Sequence, residues 1–209
     1  HLSPDCLVSD VGSVKSDLVA EIEPLAQGAG VRFVGSHPMA GAEKSGPAHA
    51  RADLFEGAVC VVTPTTASDP SAVLAIRSLW EAVGSRVLQM NPVLHDDLVA
   101  RSSHLPHVVA AELANYVLSP VHPKEQSDLC AGGFRDTTRI ASGSPEMWKD
   151  IALANRRHLS RVLGVFIEDL SEFRLALDAG DEKSIEDFFR QAKSRRDLRF
   201  PDPEPKKTA

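Results

Sequence analysis

The arrangement of apolar segments along the chain constrains its fold more than any other feature of the sequence. In the first 90 of 209 residues, short apolar stretches alternate with amphipathic stretches of helical spacing. We predict strands at 5–11, 31–36, 57–64 and 85–90, and helices at 16–27 and 70–84. Because strands that alternate with helices form a mostly parallel sheet with right-handed crossovers, this part of the chain is predicted to be an α/β unit.

The strand pattern stops near Asn91, and the rest of the chain is predicted to be helical. Helices are expected at 92–118, 145–179 and 182–197, with a Gly-rich loop and a short helical piece at 132–148. Pro106 is expected to kink or break the first of them, because proline has no amide hydrogen to donate. The predicted fold class is therefore α/β followed by all-α, with domains at 1–90 and 91–200 and a disordered tail at 201–209.

The predicted helix at 145–179 has more apolar surface than one small bundle can cover. Its apolar positions continue over many turns, at Ile151, Leu159, Val162, Phe166, Leu170 and Leu177. A monomeric bundle is one interpretation of this pattern. A homodimer formed through these helices is favoured, because helix ends and loops of one subunit then complete the site of the other.

Composition excludes several classes of protein. The net charge is −6, which offers no basic surface to nucleic acid or to an anionic membrane, and no apolar run is long enough for a transmembrane helix. The three cysteines are widely spaced and fit reduced thiols, so we predict a cytoplasmic protein. Because the sequence begins at His1 and almost at once enters a strand, we expect it to be part of a longer protein.

Two candidate site residues follow predicted strands. Ser13 lies in "DVGSVK", at the carboxyl end of the first strand, where ligands of open α/β sheets gather, although an ordinary helix start gives the same pattern. His37 lies in "GSHPMAGAEKSG" and is restricted to extended geometry by Pro38. A lone histidine is often a surface or core residue, but this position favours a general base or hydrogen-bond acceptor.

A third group of candidates lies in "HDDLVARSSHLPH", which contains His95, Ser103, His104 and His107. The spacing of His104 and His107 also fits a zinc site. No cysteine or carboxylate lies at ligand spacing nearby, so we predict no metal.

The fourth group lies in "GGFRDTTRIASGSPEMW", where Arg135, Asp136 and Arg139 fall at positions i, i+1 and i+4. A guanidinium fork suits bidentate binding of a carboxylate, whereas surface salt bridges are the alternative. Together the four groups predict one site, with a serine, histidines and an arginine for an anionic group, at the seam of the α/β and helical parts.

These segments, in this order, resemble successive blocks of the prephenate dehydrogenase family, the prephenate and arogenate dehydrogenases of tyrosine biosynthesis. The matching blocks are "SDVGSVK", "GSHPMAGAEKSG", "LFEGAVCVVTP", "HDDLVARSSHLPH" and "GGFRDTTRIASGSPEMWKDI", within residues 8–155. The resemblance implies a Rossmann-like unit for NAD or NADP, dimerisation through C-terminal helices, and oxidation of prephenate to 4-hydroxyphenylpyruvate with loss of carbon dioxide. The sequence lacks the family's G-x-G-x-x-G turn, so residues 1–90 are expected to be the C-terminal part of the Rossmann-like sheet.

The resemblance also implies roles for the candidate residues. His37 would accept the proton of the ring hydroxyl, Ser13 would hydrogen-bond both His37 and that hydroxyl, and Arg139 would hold a carboxylate. Ser13 and Gly12 are the expected cofactor contacts. The remaining predicted substrate-binding residues are Ser103, His104, His107, Glu43, Asp136, Gly132, Trp148 and His95. Asp136 and His95 are expected in supporting roles, and the block ending at Trp148 is expected to reach the neighbouring subunit's site.

Three alternatives stay open. The chain could be a catalytically idle dimerisation fragment, or its substrate could be arogenate. A β-hydroxyacid dehydrogenase is a further enzymatic alternative, but that group relies on a lysine in the long interdomain helix, and residues 92–118 contain none.

Overall fold

The computed structural model of the chain describes residues 2–3, 6–41 and 46–201. The described residues fall into two compact units, one that ends at Val162 and one that begins at Leu163, so this division lies within a helix. The predicted domain boundary near residue 91 stays a prediction. None of the described helices combines the length and the apolar composition needed to cross a bilayer.

The first unit contains a four-stranded sheet in the order β1-β2-β3-β4, formed by β1 (Leu7–Ser9), β2 (Arg32–Pro38), β3 (Val59–Thr63) and β4 (Arg86–Gln89). The pairs β1–β2 and β3–β4 are parallel, and each is joined by a helix, α1 (Ser16–Gly28) or α2 (Pro70–Ala82). The β2–β3 pair is antiparallel. A parallel pair needs a crossover of a dozen or more residues, usually a helix, whereas the described part of the β2–β3 connection contains only a three-residue 3₁₀ turn.

The two helices cover opposite faces of the sheet. Val34 packs with Ile76 and Trp80 of α2, whereas the neighbouring Phe33 packs with Val19 of α1. Successive residues of a strand point to opposite faces, so the side chain of His37 lies on the same face as Phe33, the one that α1 covers. The alternation of side chains along β2 thus determines the face of the sheet on which the side chain of His37 lies.

Gly35 lets β2 approach its neighbours closely. A Cβ atom there would lie 2.6 Å from Thr63 Oγ1 and 2.8 Å from Val19 Cγ2. Any larger residue would push β2 away from β3 and α1, two residues before His37.

Helices follow the sheet. They are α3 (Pro92–Val99), α4 (Leu105–Val117), α5 (Glu125–Asp128), α6 (Gly132–Thr138), α7 (Pro145–Ala154), α8 (Arg156–Ala179) and α9 (Glu182–Arg199). The predicted fold class, α/β followed by all-α, is confirmed. A π-helical turn, Ala100–His104, joins α3 to α4 and ends two residues before Pro106. The predicted break is therefore a widened turn, because Pro106 cannot donate to the carbonyl of Ser102.

The helix predicted at 145–179 is interrupted at Asn155. This residue is 2% exposed and lies between α7 and α8. The apolar positions of this region also separate into two groups. Leu159 and Val162 are buried with Ala100 in the first unit, whereas Leu170 and Leu177 of the second unit are exposed.

The second unit contains the part of α8 that begins at Leu163 and the whole of α9. Phe173 of α8 packs on Phe188 and Phe189 of α9, with ring centroids 4.4 and 5.7 Å apart. The residues predicted as a tail, 201–209, lie outside the described residues apart from Pro201.

Candidate active site

A cavity of about 400 Å³ in the first unit, here called the site cavity, contains most of the predicted site residues. Ser13 reaches it from the turn between β1 and α1, and His37 reaches it from β2. Its wall also includes Ser103, His104, His107, Arg139 and Trp148. The carboxyl ends of β1 and β2 thus meet the π-helical turn, the start of α4, and the segment around α7.

His37 is held from behind by a second histidine. Its Nδ1 atom lies 2.9 Å from Nε2 of His95, and Nδ1 of His95 lies 2.8 Å from Oδ1 of Asp96. The carboxylate of Asp96 also accepts the backbone N–H groups of Lys15 and Ser16, at 2.8 and 2.7 Å. Asp96 therefore caps the start of α1 and anchors the pair of histidines at the same time.

These contacts determine where the protons lie. Burial favours the neutral form of Asp96, but the hydrogen bonds from His95, Ser16 and Lys15 outweigh it and leave the pKa of Asp96 below its usual value. An ionised carboxylate only accepts, so His95 carries a proton on Nδ1, and in the neutral imidazole its Nε2 accepts in turn. His37 must then donate from Nδ1, which leaves Nε2 of His37 as an unprotonated acceptor at the cavity.

His37 is uncharged at neutral pH. Burial lowers its pKa to about 3, and the nearby His95 and Lys15 act in the same direction. The imidazole is 7% exposed and lines the site cavity. A neutral ring with a fixed lone pair is suited to accept a hydrogen bond from a hydroxyl group.

A buried ion pair holds the turn that carries Ser13. The side chain of Lys15 is fully buried, pairs with Asp10 and donates to the carbonyl oxygen of Ser36 at 3.0 Å. Asp10 also accepts the backbone N–H groups of Ser36 and Gly12, at 3.0 and 2.8 Å. Burial lowers the pKa of Lys15, and Asp10 opposes that shift. The pair joins the end of β1 to β2 beside the cavity.

His107 and Trp148 form a stacked wall. Their ring centroids are 3.7 Å apart and their planes differ by 27°. Nδ1 of His107 donates to the carbonyl oxygen of Ser103 at 2.9 Å. Gly143 makes room for the indole, because a Cβ there would lie 2.7 Å from Trp148 Nε1.

The spacing of His104 and His107 raised the zinc alternative. Within the described part of the chain, no group of three or more histidine, cysteine or acidic side chains is arranged to hold a metal ion. Burial lowers the pKa of His104 to about 4, so this imidazole is also neutral.

Several predicted residues lie elsewhere. His95 is fully buried behind His37 rather than in the cavity wall. Gly132 and Asp136 are exposed, and neither they nor Gly12 are among the residues that line the site cavity, so their ligand contacts stay predictions. Glu43 lies outside the described residues.

Two further predicted contacts involve Ser13 and Trp148. Among the described residues, the side-chain hydrogen-bond partner of His37 is His95, to which His37 donates, and the predicted bond between Ser13 and His37 stays a prediction. Trp148 lines the cavity together with the His37 of its own chain. Its predicted reach into the neighbouring subunit's site stays a prediction.

Ser13 also lines a second cavity of about 450 Å³, here called the outer cavity, together with Ser144, Glu146, Met147, Asp150 and Ile151. Ser13 therefore lies between the two cavities.

Sequence patterns missed three residues that organise the site. Asp96, Lys15 and Asn155 are polar and buried, and each makes at least one hydrogen bond to a residue that is distant in sequence. A signal was available for two of them, because Asp96 lies in "HDDLVARSSHLPH" and Lys15 lies in "DVGSVK".

Two family models match the chain. Residues 1–89 match the nucleotide-binding domain of prephenate dehydrogenase, and residues 91–191 match its dimerization domain. Prephenate dehydrogenase of Bacillus subtilis (strain 168) is 36% identical over 201 residues, which cover 92% of this chain and 52% of that protein. Cyclohexadienyl dehydrogenase of Zymomonas mobilis is 34% identical over 198 residues, which cover 93% of this chain and 67% of that protein.

A solved structure agrees with these relatives. The crystal structure of A. aeolicus prephenate dehydrogenase in complex with hydroxyphenyl propionate and NAD+ superposes with a TM-score of 0.86 at 36% identity. The match covers 93% of this chain and 68% of the A. aeolicus chain. The chain spans about half the length of the Bacillus subtilis relative, at 52%. Sequence, fold and relatives agree, and the chain belongs to the prephenate dehydrogenase family.

Proposed function

We propose that the chain forms the substrate site of an NAD(P)-dependent prephenate dehydrogenase, which converts prephenate to 4-hydroxyphenylpyruvate and carbon dioxide. The observation that supports this most strongly is the neutral His37, whose unprotonated Nε2 faces a cavity that also contains Arg139. The substrate has a ring hydroxyl and two carboxylates, and these groups match an acceptor and a cation.

At the ring hydroxyl, the reaction needs a hydrogen-bond acceptor more than a strong base. A hydride leaves the ring carbon that bears the hydroxyl, carbon dioxide leaves the opposite ring carbon, and the electron pair of that broken bond completes the aromatic ring. The hydroxyl hydrogen remains on the phenol product overall. A hydrogen bond to His37 raises the electron density on the hydroxyl oxygen and so favours departure of the hydride. The low pKa of His37, about 3, fits an acceptor that does not have to become fully protonated.

Any positive charge that moves onto His37 is compensated through the same contacts. His95 stands between His37 and the carboxylate of Asp96, at 2.9 and 2.8 Å. This arrangement orients the imidazole before substrate arrives, so little reorganisation is needed during the reaction.

Arg139 is proposed to bind a substrate carboxylate. Its guanidinium lines the site cavity from the 3₁₀ turn after α6. Trp148 and His107 form the neighbouring wall, and their stacked rings exclude water from the face they cover.

Ser13 and Gly12 are the proposed cofactor contacts, and the residues present fit this role in part. Ser13 lines both the site cavity and the outer cavity, so a second molecule can meet the substrate there. When bound, NAD(P)+ supplies the acceptor for the hydride. The G-x-G-x-x-G turn that holds a pyrophosphate is not part of these 209 residues, and the chain's own contribution is confined to the neighbourhood of Ser13.

The proposed enzyme is a cytoplasmic homodimer. Apolar side chains on α8 and α9 are exposed, including Leu170, Leu177 and Phe189, and residues 91–191 match a dimerization domain. Cys6, Cys60 and Cys130 are free thiols, which supports a reducing compartment.

The missing glycine motif favours a second candidate function for residues 1–209 by themselves. The chain would bind substrate and dimerise without turnover, because the pyrophosphate of the cofactor would lack its usual cradle.

One experiment tests both functions. Prephenate and NAD+ or NADP+ are added to the 209-residue chain and, in parallel, to the enzyme that includes a complete dinucleotide-binding domain, and reduced nicotinamide is followed by absorbance. Turnover by the complete enzyme supports the main proposal, and turnover by the chain alone removes the idle-fragment function. A complete enzyme that binds prephenate but never reduces the cofactor contradicts the proposed activity.

A further inference from the structure

We propose that Asn155 is a positioning residue that fixes the proton of His104 on Nε2, so that the site cavity contains one donor imidazole and one acceptor imidazole. The consequence for substrate recognition rests on the proposed function, whereas the proton position does not. The inference depends on the contacts of four buried residues, which are Asn155, Asp96, His104 and His37.

Asn155 contacts two groups that are far away in sequence. Its Nδ2 atom lies 2.9 Å from the backbone carbonyl oxygen of Asp96 and 3.1 Å from Nδ1 of His104. All three residues are buried, with exposures of 2%, 1% and 1%. The interruption between α7 and α8 occurs at this residue, so the chain breaks a long helix where the side chain makes these contacts.

The orientation of the amide follows from the Asp96 carbonyl. A carbonyl oxygen can only accept, so the atom of Asn155 that faces it must be the NH₂ nitrogen. The reverse orientation would bring two acceptor oxygens together. Oδ1 of Asn155 is one of the two buried side-chain atoms without a hydrogen-bond partner among the described residues, the other being Thr63 Oγ1. The NH₂ group of Asn155 therefore donates to the carbonyl oxygen of Asp96 and to the imidazole of His104, and Oδ1 of Asn155 is left without a hydrogen-bond partner among the described residues.

The proton of His104 must then lie on the other ring nitrogen. The NH₂ group donates to Nδ1, so Nδ1 carries no proton, and a neutral imidazole carries it on Nε2. Burial keeps the ring neutral by lowering its pKa to about 4. His104 lines the site cavity with Nδ1 engaged behind it, so Nε2–H is the group that it offers to a ligand.

His104 and His37 are thus opposite in character. His37 donates from Nδ1 to His95 and presents an acceptor, whereas His104 accepts at Nδ1 from Asn155 and presents a donor. Asp96 connects the two arrangements, because its side chain binds His95 and its backbone carbonyl binds Asn155.

This pair selects a class of ligand. The group opposite His37 must be a donor, such as a hydroxyl, and the group opposite His104 must be an acceptor, such as a carboxylate or keto oxygen. Prephenate carries all of these groups, and we assign His104 as the contact for an oxygen of one of its carboxylates or of its keto group. In an analogue with an amino group in place of the keto oxygen, a donor would face the Nε2–H donor of His104. Where the keto oxygen is the contact of His104, this analogue binds more weakly than prephenate.

Long-range ¹H–¹⁵N correlation spectra of the ¹⁵N-labelled protein test the proton positions at neutral pH without substrate. We expect His104 to show a protonated Nε2 and an unprotonated Nδ1, and His37 to show the opposite. Spectra of the His104→Gln and His37→Asn variants assign the signals. A His104 ring protonated on Nδ1, or on both nitrogens, overturns the proposal even if the enzyme is active.

The Asn155→Asp variant tests whether Asn155 determines which nitrogen of His104 carries the proton. A carboxylate accepts rather than donates, so the proton of His104 should move to Nδ1 or the ring should become doubly protonated. Asn91→Asp is the matched control, because Asn91 is exposed and its Oδ1 accepts from Leu94 N–H, a role that aspartate keeps. An unchanged His104 spectrum in Asn155→Asp contradicts the role of Asn155. If this variant does not fold, the wild-type spectrum alone decides the proton position.

Kinetics of the complete enzyme separate this inference from the proposed function. Asn155→Asp should raise KM for prephenate about 10- to 100-fold, the effect of losing a hydrogen bond to a charged group, with a smaller change in kcat. Asn91→Asp should leave both constants near wild type. Correct proton positions in an enzyme that does not turn over prephenate would leave the role of Asn155 intact and contradict the proposed function instead.

Discussion

Nδ1 of His37 lies 2.9 Å from Nε2 of His95, and this contact determines which nitrogen of His37 faces the site cavity. The catalytic candidate is therefore oriented by a residue that has no contact with the cavity itself. Since His95 takes its own orientation from Asp96, the protonation of the site depends on a carboxylate two residues away in the hydrogen-bond chain.

Replacement of Asp96 should impair turnover without removing the substrate pocket. In Asp96→Asn the amide oxygen can still accept one backbone N–H of α1, but the histidine pair loses the charge that fixes its protons. We expect kcat of the complete enzyme to fall about 10- to 1,000-fold with a small change in KM. Asp97→Asn serves as control, because Asp97 pairs with Arg161 on the surface. Equal kcat values in Asp96→Asn and Asp97→Asn would contradict this role.

Stability should decrease as the pH falls from 6.5 towards 5. The pKa values of His37 and His104 are lowered to about 3 and about 4, so both are neutral in the folded protein while they bind protons in the unfolded chain. The unfolded state then binds more protons, and the free energy of unfolding falls by about 1.4 kcal/mol per pH unit for each ring. Urea unfolding between pH 7 and 5 measures this slope.

Variants assign the pH effect to these rings. His37→Asn and His104→Gln should each reduce the slope, whereas the exposed His49→Gln should not. Equal slopes in all variants would show that other groups cause the loss of stability.

The position of Trp148 depends on the absence of a side chain at residue 143. In Gly143→Ala the added methyl would lie 2.7 Å from Trp148 Nε1, so the indole must move and its stack on His107 must open. We expect a changed tryptophan fluorescence spectrum and a KM for prephenate raised about tenfold, since misplaced contacts weaken binding. Gly164→Ala is the control, because nothing lies within 4 Å of a Cβ there. A Gly143→Ala enzyme with wild-type KM would argue against a wall formed by Trp148.

Arg139 should act mainly on binding. Arg139→Gln removes the cation but keeps a polar side chain, so KM for prephenate should rise about 10- to 100-fold while kcat changes less. Arg135→Gln, one turn earlier and exposed, should have a weaker effect because Arg135 does not line the site cavity. An unchanged KM in Arg139→Gln would exclude the proposed carboxylate contact.

The sequence predicted the residues that lie at the ends of regular elements. Ser13 and His37 follow from the rule that ligands gather at the carboxyl ends of strands, and both line the site cavity. The sheet was predicted to be mostly parallel, and two of its three strand pairs are parallel, whereas the β2–β3 pair is antiparallel and its connection has no described crossover helix.

Buried polar partners were harder to predict. Asp96 follows His95 directly, and periodicity does not tell which of two adjacent polar residues enters the interior. Asn155 lies within a continuous helical pattern, and its contact with His104 bridges 51 positions of sequence. Gly132 was assigned from its membership in a family block and Asp136 from its spacing with Arg135 and Arg139, and neither pattern specifies which side of α6 faces the cavity.

Turnover of the His37→Asn variant, measured in the enzyme that contains a complete dinucleotide-binding domain, tests the central claim most directly. Asparagine keeps a polar atom at the δ position, where His37 contacts His95, but removes Nε2, the acceptor nitrogen that faces the cavity. We expect kcat to fall about 10²- to 10⁴-fold while KM for prephenate stays close to that of the wild type. A His37→Asn enzyme with near-wild-type kcat would contradict the central claim.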